Sequence, residues 1–473
     1  MYHSAKYPSV VRKKITVKSF VNGMRKSVDE KLSDLSTAKL SYNFDYSSGV
    51  LKRGGGVKVF NSFNVTNLAS NSVLALYFYK RYDHFLEKMV EKIIYYCSDK
   101  HLYSADVTGG TFTKISDVTF DEKPLAINYD YMDSDVMLFA SKSGELYYLN
   151  DTVLNRIEGA PKITSLCVHK ERIFVTTDGE GTSLWFSDDF DPTNWVVSLN
   201  EAGFIDFQGE YGKLVKAVSF LDYVYVFRDY GISRVTAYGS QEDFSADTLF
   251  GRQGKIYGES VTDCGDFIIM LTTSGIYQFN GLDTVKILSE YDDMITGVDN
   301  SLAKGIYVGN VFYLKMKMNV NGKIEDVLLV YDTVKKSSYI ARYLNLIDFS
   351  FFGGSVNEAV CLIGTKKYPC MLSNSGTSIL DPLVKEWISP FYDLGVNSKL
   401  KRLYKLSLYT LDKITLTIEC DNKKLVYNFT GGGVQEVYPA LQGELFRISI
   451  KSTTNSPEIY NLTVFVEYVK GDA

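Results

Sequence analysis

Few side chains in this chain are of the kinds that make and break covalent bonds. Histidine occurs four times, as His3, His84, His101 and His169. None falls at the HxH or HExxH spacing that would bring two imidazoles to one metal ion. No GxSxG elbow is present to lift a serine toward a histidine, so a Ser-His-Asp triad is not expected. Turn or surface positions account better for these histidines.

Cysteines stand at 97, 167, 264, 361, 370 and 420, with no CxxC pair. That removes zinc-ribbon and thioredoxin-type chemistry. Most sit in apolar strand-like runs such as IIYYC, ending at Cys97, so they read as buried reduced thiols and as a protein made in a reducing cytoplasm. Cys361 and Cys370 are spaced to meet across a hairpin, which the sequence leaves open. The GGG triplets at 54–56 and 431–433 lack the GxxxxGK[ST] context and join strands rather than opening a helix, so they are turn glycines rather than phosphate loops. The acidic runs SDDFD (187–191), YDD (291–293) and YDYMDSD (129–135) have the donors for calcium or for paired-carboxylate glycoside hydrolysis, but Asp is also a preferred turn residue. No cofactor and no metal is expected.

Two further patterns concern binding. Aromatic runs such as YVYVF (223–227) and YFYKRY (77–82) have the faces to stack on sugars or bases, yet alternate residues of a strand point to opposite sides, so about half belong to a core. A basic set at the N-terminal end, Lys13, Lys14, Lys18 and Arg25, with Lys52 and Arg53 in a later loop, is the candidate interface. Arg12 belongs to the same run. Such residues suit phosphate backbones or acidic partner surfaces, or simply a solvated face.

The elements that must position these residues follow from pattern. The chain has 473 residues, 45% apolar, 23% charged and 14% aromatic, with 36 Gly and 9 Pro. Tyr, Phe and Gly in these amounts point to many short strands joined by tight turns and exclude a disordered chain. The net charge of −5 excludes a polycationic nucleic-acid binder. The N-terminus lacks the apolar stretch of a signal peptide. The longest apolar runs, such as FIIML (267–271), fall far short of the roughly twenty residues of a membrane span, so the expectation is a soluble protein without membrane contact.

One unit recurs. Its first alignable strand reads KIIYYCSD (92–99), DVMLFASK (135–142), ERIFVTTD (171–178), DYVYVFRD (222–229), DFIIMLTT (266–273), NVFYLKMK (310–317) and NEAVCLIG (357–364), with starts 43, 36, 51, 44, 44 and 47 residues apart. Strands follow and precede most copies. Three or four antiparallel strands at this period, too little to bury both faces alone, predict a six- or seven-bladed β-propeller over 40–382. The hairpin LSYNFDYSSGVLKRGGGVKVF (40–60) is the candidate to close the ring. From 383 to 473 the strands alternate apolar and polar residues, as in a small β-sandwich. Residues 1–39 read as a short basic arm, extended onto a neighbour or loose.

Three stretches resemble β-propeller structural proteins of tailed bacteriophages, of the tail-hub or packaged-DNA-stabilisation type. They are 40–60, with its N…G-x-L-x-R-G-G pattern; SLWFSDDFDPTNWVVSLNEAGFIDF (183–207), with (W/Y)-x-S-D-x-x-D-P-x-x-W; and WISPFYDLGVNSKLKRLYKLSLYT (387–410). The resemblance implies a non-enzymatic virion protein, assembled in the host cytoplasm into a homo-oligomeric ring at the head–tail neck or in the tail. Portal, adaptor or other tail proteins would be its partners, packaged DNA a non-specific contact, and DNA retention and ejection its task. Such a ring needs heterologous contacts, and an acidic subunit would let a genome slide. The alternative is a carbohydrate-binding or glycan-cleaving propeller used in receptor recognition, and a third reading is an intracellular scaffold for peptide partners.

Overall fold

The structure is a computed structural model. It describes residues 10–24, 35–59, 72–83, 86–107, 112–131, 134–141, 144–178, 181–198, 201–251, 253–353, 358–363, 369–373, 378, 382–396 and 399–469. The expected apolar runs become strands, and tight turns reverse them. At Gly309–Asn310 (φ 55° and 67°) and Asn321–Gly322 (φ 54° and 86°), two successive residues have positive φ. That geometry matches the right-handed twist of the strands it joins.

The strands build a β-propeller. Its first sheet holds Val73–Asp83, Lys88–Cys97, Leu102–Asp106 and Thr113–Lys114, paired in chain order. The second runs from Leu125–Tyr131 through Ser134–Ala140 and Leu146–Asn150 to Val153–Ile157. The third runs from Ile163–His169 through Arg172–Thr177 and Ser183–Phe186 to Gly203–Asp206, and the fourth from Leu214–Phe220 through Tyr223–Arg228 and Gly231–Thr236 to Ser245–Gly251. Thr262–Asp263, Ile268–Thr272, Gly275–Phe279 and Thr284–Ile287 form the fifth. Lys304–Val308, Val311–Val320, Lys323–Asp332 and Ser337–Arg342 form the sixth. The seventh takes Asp348–Gly353, Glu358–Ile363 and Pro369–Leu372 from late in the chain and Val57–Val59 from early in it.

These seven sheets make a closed circle. The first strands of the first and seventh sheets touch, as do those of the second and third, the third and fourth, the fifth and sixth, and the sixth and seventh. The first sheet's opening strand meets the second sheet, and the turn Gly258–Ser260 carries the contact from fourth to fifth. Apolar side chains fill the spaces between neighbours. Phe174 and Phe186 of the third sheet pack with Val224 and Val226 of the fourth, and Phe227 and Ile232 of the fourth with Ile268 and Phe279 of the fifth. Each such side chain, fully buried, contributes about 1.5–3 kcal/mol.

Closure comes from one part of the expected hairpin. Val57–Val59 pairs antiparallel with the strand Pro369–Leu372, in the register Leu372↔Val57, Met371↔Lys58 and Cys370↔Val59. The earlier strand of that stretch, Leu40–Tyr42, leaves the ring. It pairs in parallel with Ser337–Arg342 on one side and antiparallel with Lys385–Ile388 on the other. The sixth sheet thereby continues into one sheet of the C-terminal sandwich as nine strands.

The second sandwich sheet holds Ile459–Val469, Lys401–Thr410, Gly433–Val437, Leu441–Gly443 and, at its edge, Val10–Val17. Val10–Val17 lies within the stretch read from sequence as an arm. Here it pairs along its whole length with the chain's own last strand, from Val10↔Val469 to Val17↔Leu462. The physical reason is its alternation: Ile15 and Val17 turn to the core, while Arg12, Lys14 and Thr16 turn outward. Between the two sandwich sheets lie Leu403, Leu406, Val464 and Val466 against Leu416, Ile418, Ile448 and Trp387, all nearly or fully buried.

Candidate functional site

The expected interface residues that are described do not share one surface: Lys13 and Lys14 lie on the edge strand Val10–Val17, and Lys52 and Arg53 in a separate two-stranded pairing with Phe44–Asp45. The outward face of the five-stranded sheet is basic and aromatic. Arg12 and Arg402 stand on either side of Glu467 and share its carboxylate, at 3.5 and 3.2 Å. Arg12 also lies over the ring of Tyr404, and Lys14 lies over Phe465 at 5.8 Å. Lys405 covers the other part of Phe465, at 5.5 Å, and pairs with Glu436 at 2.7 Å. Four cations thus meet two carboxylates, and the aromatic rings beneath the ammonium and guanidinium groups hold them as a flat array. Val10, Val434, Tyr438 and Val469 are exposed around it.

Three of the other expected residues, Lys13, Lys52 and Arg53, are tied within the chain. Lys13 points to the opposite side of its strand, where its Nζ donates to the Gly395 carbonyl at 2.6 Å. Lys18 is exposed just past the strand. Lys52 pairs with Glu458 at 3.6 Å. Arg53 is buried, and its Nη1 donates to the Asn455 carbonyl at 2.8 Å. Arg25 lies outside the described residues. Of the five that are described, Lys14 alone joins the aromatic array; Arg402, Lys405, Tyr404 and Phe465 come from strands of the far C-terminus, and the register of Val10–Val17 reveals them as neighbours.

Within the stretch 183–207, the turn that leaves the strand Ser183–Phe186, from Ser187 to Trp195, is organised by one arginine. Arg172 Nη1 donates to the carbonyls of Ser187 and Glu201, at 2.9 and 2.8 Å, and its guanidinium lies over Phe186 and Phe244. Asp188 and Asp189 face it at 3.8 and 3.7 Å. Asn194 Nδ2 donates to Asp188 at 3.0 Å. Asp191 caps the next turn through the Thr193 N–H and hydroxyl. Trp195 donates to the Pro192 carbonyl and sits between the second and third sheets with Tyr129 and Val175. Each acidic residue of SDDFD thus has a structural partner. In YDD, Asp292 pairs with Lys286 at 2.7 Å. Among the described residues, no group of three or more His, Cys, Asp or Glu side chains is placed to hold a metal ion.

His101 stands 3.4 Å from Asp99 in a turn, and His169 is buried at the end of a first strand. His3 and His84 lie outside the described residues. Cys97, Cys167, Cys264 and Cys420 are buried thiols, as their apolar surroundings in sequence imply. Burial pushes the Cys97 and Cys167 thiols up to about 12. Across the seventh sheet's hairpin, Cys370 is opposite Leu362 and Cys361 opposite Met371.

A second charged cluster lies on the propeller axis. Lys304 Nζ and Lys123 Nζ both reach Asp348 Oδ1, at 2.8 and 3.2 Å, and Lys216 pairs with Glu259 at 3.7 Å. These residues come from separate segments of the chain: Lys304 and Asp348 open strands, Lys123 and Glu259 stand just before strands, and Lys216 lies within Leu214–Phe220.

No protein-family model and no curated protein matches the chain. Among solved structures, the chain is similar to BBS1N crystallised in complex with ARL6DN, at 12% identity and a TM-score of 0.42, covering 65% of this chain and 94% of that one. It is also similar to KlHsv2 with loop 6CD replaced by a Gly-Ser linker, at 9% identity and a TM-score of 0.33, covering 57% and 97%. A likeness at this level concerns general shape and carries nothing about what the chain binds.

Proposed function

We propose that this chain is a non-enzymatic structural protein of a tailed-phage virion, one subunit of a ring at the head–tail neck or in the tail. The observation that carries the reading is the strand Leu40–Tyr42, hydrogen-bonded on one side to the propeller and on the other to the sandwich. On the sandwich side the strand makes three register pairs, and on the propeller side it is bridged at Tyr42↔Ile340, where the Asn43 N–H donates to the Ile340 carbonyl at 2.9 Å; this ties the two domains through backbone hydrogen bonds more stiffly than a free linker would. A stiff two-part block suits a ring that must hold its shape around DNA. The phage-like stretch at 183–207 supports the same reading, since the residues that carry the resemblance are those that build the Arg172-centred turn.

The basic and aromatic sheet face is the surface offered to a neighbouring subunit. The whole chain carries −5, so a cationic face meets a predominantly acidic surface on the next copy, as a head-to-tail ring requires. The test is sedimentation and electron microscopy of the purified full chain, alone and with Lys14→Glu plus Arg402→Glu. Closed rings that the double variant breaks into folded single subunits support the proposal. A monomer at every concentration, or rings indifferent to the double variant, overturns this use of the face. Turnover of a glycan by the purified chain overturns the structural reading itself.

A further inference from the structure

The axis of the propeller holds charges in unequal number. Lys304 opens the first strand of the sixth sheet, Asp348 opens that of the seventh, and Lys123 lies two residues before that of the second. Their contacts place these strand starts at one mouth of the axis. Asp348 is 5% exposed, and two ammonium groups converge on its single Oδ1. Lys315 is the cross-strand partner of Lys304, and its Nζ donates to the carbonyl of Ile347, the residue before Asp348, at 2.7 Å. Lys216 and Glu259, on the neighbouring sheets, balance one another.

Lys123, Lys304 and Lys315 therefore bring three positive charges, and Asp348 is the one carboxylate within 4 Å of any of them among the described residues. From farther away Asp326 acts on Lys315 and Glu259 on Lys304, and the positive charge of Lys317 also acts on Lys315. An excess of two positive charges is left in a partly enclosed place, in a protein that is otherwise net negative. Each of the three ammonium groups makes one hydrogen bond to the protein among the described residues, out of three N–H donors. Charges withdrawn from water need partners, because desolvation costs several kcal/mol per ion. Burial indeed pushes the Lys304 ammonium below its usual range against the pull of Asp348. Burial raises the Asp348 carboxyl, and Lys304 and Lys123 more than offset that.

We propose that this mouth of the propeller axis binds one divalent tetrahedral oxyanion, hydrogen phosphate or sulfate, through the ammonium groups of Lys123, Lys304 and Lys315. Two negative charges cancel the excess. The Lys123 and Lys304 nitrogens, both bonded to one oxygen, are close enough to share a single tetrahedral anion. Rotatable ammonium donors suit its several oxygens, whereas a monovalent halide would leave one charge unmet. Asp348 gathers the lysines and at the same time repels the ligand. The site joins three sheets across the axis and stands independently of any ring assembly.

The test is calorimetric titration of the full chain with sodium sulfate and, separately, sodium phosphate, with sodium chloride at matched ionic strength as the control. The expected result is saturable 1:1 binding of both oxyanions and none of chloride. Lys123→Met and Lys304→Met each weaken binding about tenfold, the worth of one hydrogen bond to a charged group. Asp348→Asn tightens binding, which a merely structural carboxylate would not do. Lys123 is at the rim, 37% exposed, so its variant keeps the test valid even where Lys304→Met fails to fold. Binding of one oxyanion but not the other still supports the site and identifies its ligand. Absence of saturable binding by either, or binding that Lys123→Met leaves unchanged, overturns it.

Discussion

The Arg172 guanidinium donates to the Glu201 carbonyl oxygen at 2.8 Å, joining the second strand of the third sheet to a residue 29 positions later in the chain. The same Nη1 holds the Ser187 carbonyl. Without Arg172, two carbonyls lose a charged donor, and Asp188 and Asp189 face each other without a cation. Arg172→Met is expected to cost about 3 kcal/mol, since hydrogen bonds to charged groups contribute about 1.5–3 kcal/mol and a broken buried ion pair costs more. Urea unfolding followed by tryptophan fluorescence measures this. Trp195 lies in the same turn, so its emission shifts to the red at denaturant concentrations below the main transition. An unchanged midpoint would show that the turn holds without its arginine.

Ring closure depends on three residues. Val57 is 5% exposed, and its N–H donates to Ser378 Oγ at 3.1 Å. Val57→Asp places a carboxylate where an apolar side chain packs and is expected to destabilise the chain by about 3 kcal/mol. Hydrogen exchange gives the sharper readout. The amides of Cys370, Met371 and Leu372 should lose protection before those of the third and fourth sheets, because the fourth strand of the seventh sheet comes from a segment some 310 residues earlier, about the separation of Val59 from Cys370. Uniform loss of protection around the ring would count against closure as the weak point.

The propeller was legible because its inner strands are apolar on both faces, so that each repeat stands out as a run such as DYVYVF (222–227). The edge strand Val10–Val17 was harder to place. Its alternation of Ile15 and Val17 with Arg12, Lys14 and Thr16 carries the period of a half-buried strand, but its partner Ile459–Val469 lies over 440 residues away, and nothing local names that pairing. The same holds for the axial cluster. Lys123, Lys304 and Asp348 each sit where turns favour charged residues, and only closure of the circle brings them together. The motif at 183–207 stood out by its residue types, while its organiser, Arg172, lies outside it.

The buried thiols should be inert while the chain is folded. Cys97 and Cys167 are pushed up to about 12 and Cys420 to about 11, first of all by burial. The thiolate is the reactive form. At pH 8 a thiol of pKa 12 is only about one ten-thousandth ionised, against roughly a quarter for an unperturbed one. Iodoacetamide labelling at that pH, read by peptide mass spectrometry, should leave Cys97, Cys167 and Cys420 unmodified in the native chain and modify all three in guanidinium. Rapid native labelling of Cys167 would mean that the third and fourth sheets separate far more often than their shared core implies.

Acid should weaken the third and fourth sheets through His169. Its Nδ1 is 2.8 Å from Ser219 Oγ, while its Nε2 is buried without a hydrogen-bond partner among the described residues, and its ring meets Phe174 edge-on. Burial, aided by Lys170, pushes the imidazole below its usual value, against the weaker opposing pull of Asp222 and Glu171. Above about pH 6.5 the ring is neutral both folded and unfolded, and the full stability is present. As the pH falls below that value, the unfolded chain takes up a proton that the folded chain refuses, so stability is lost until the folded value is passed. The slope for this one proton is at most about 1.4 kcal/mol per pH unit. His169→Gln keeps a polar side chain but cannot titrate. Urea midpoints between pH 7 and 5.5 should therefore fall more steeply for the parent chain than for the variant. Parallel curves would place the acid sensitivity elsewhere and show that His169 gains its proton without opening the two sheets.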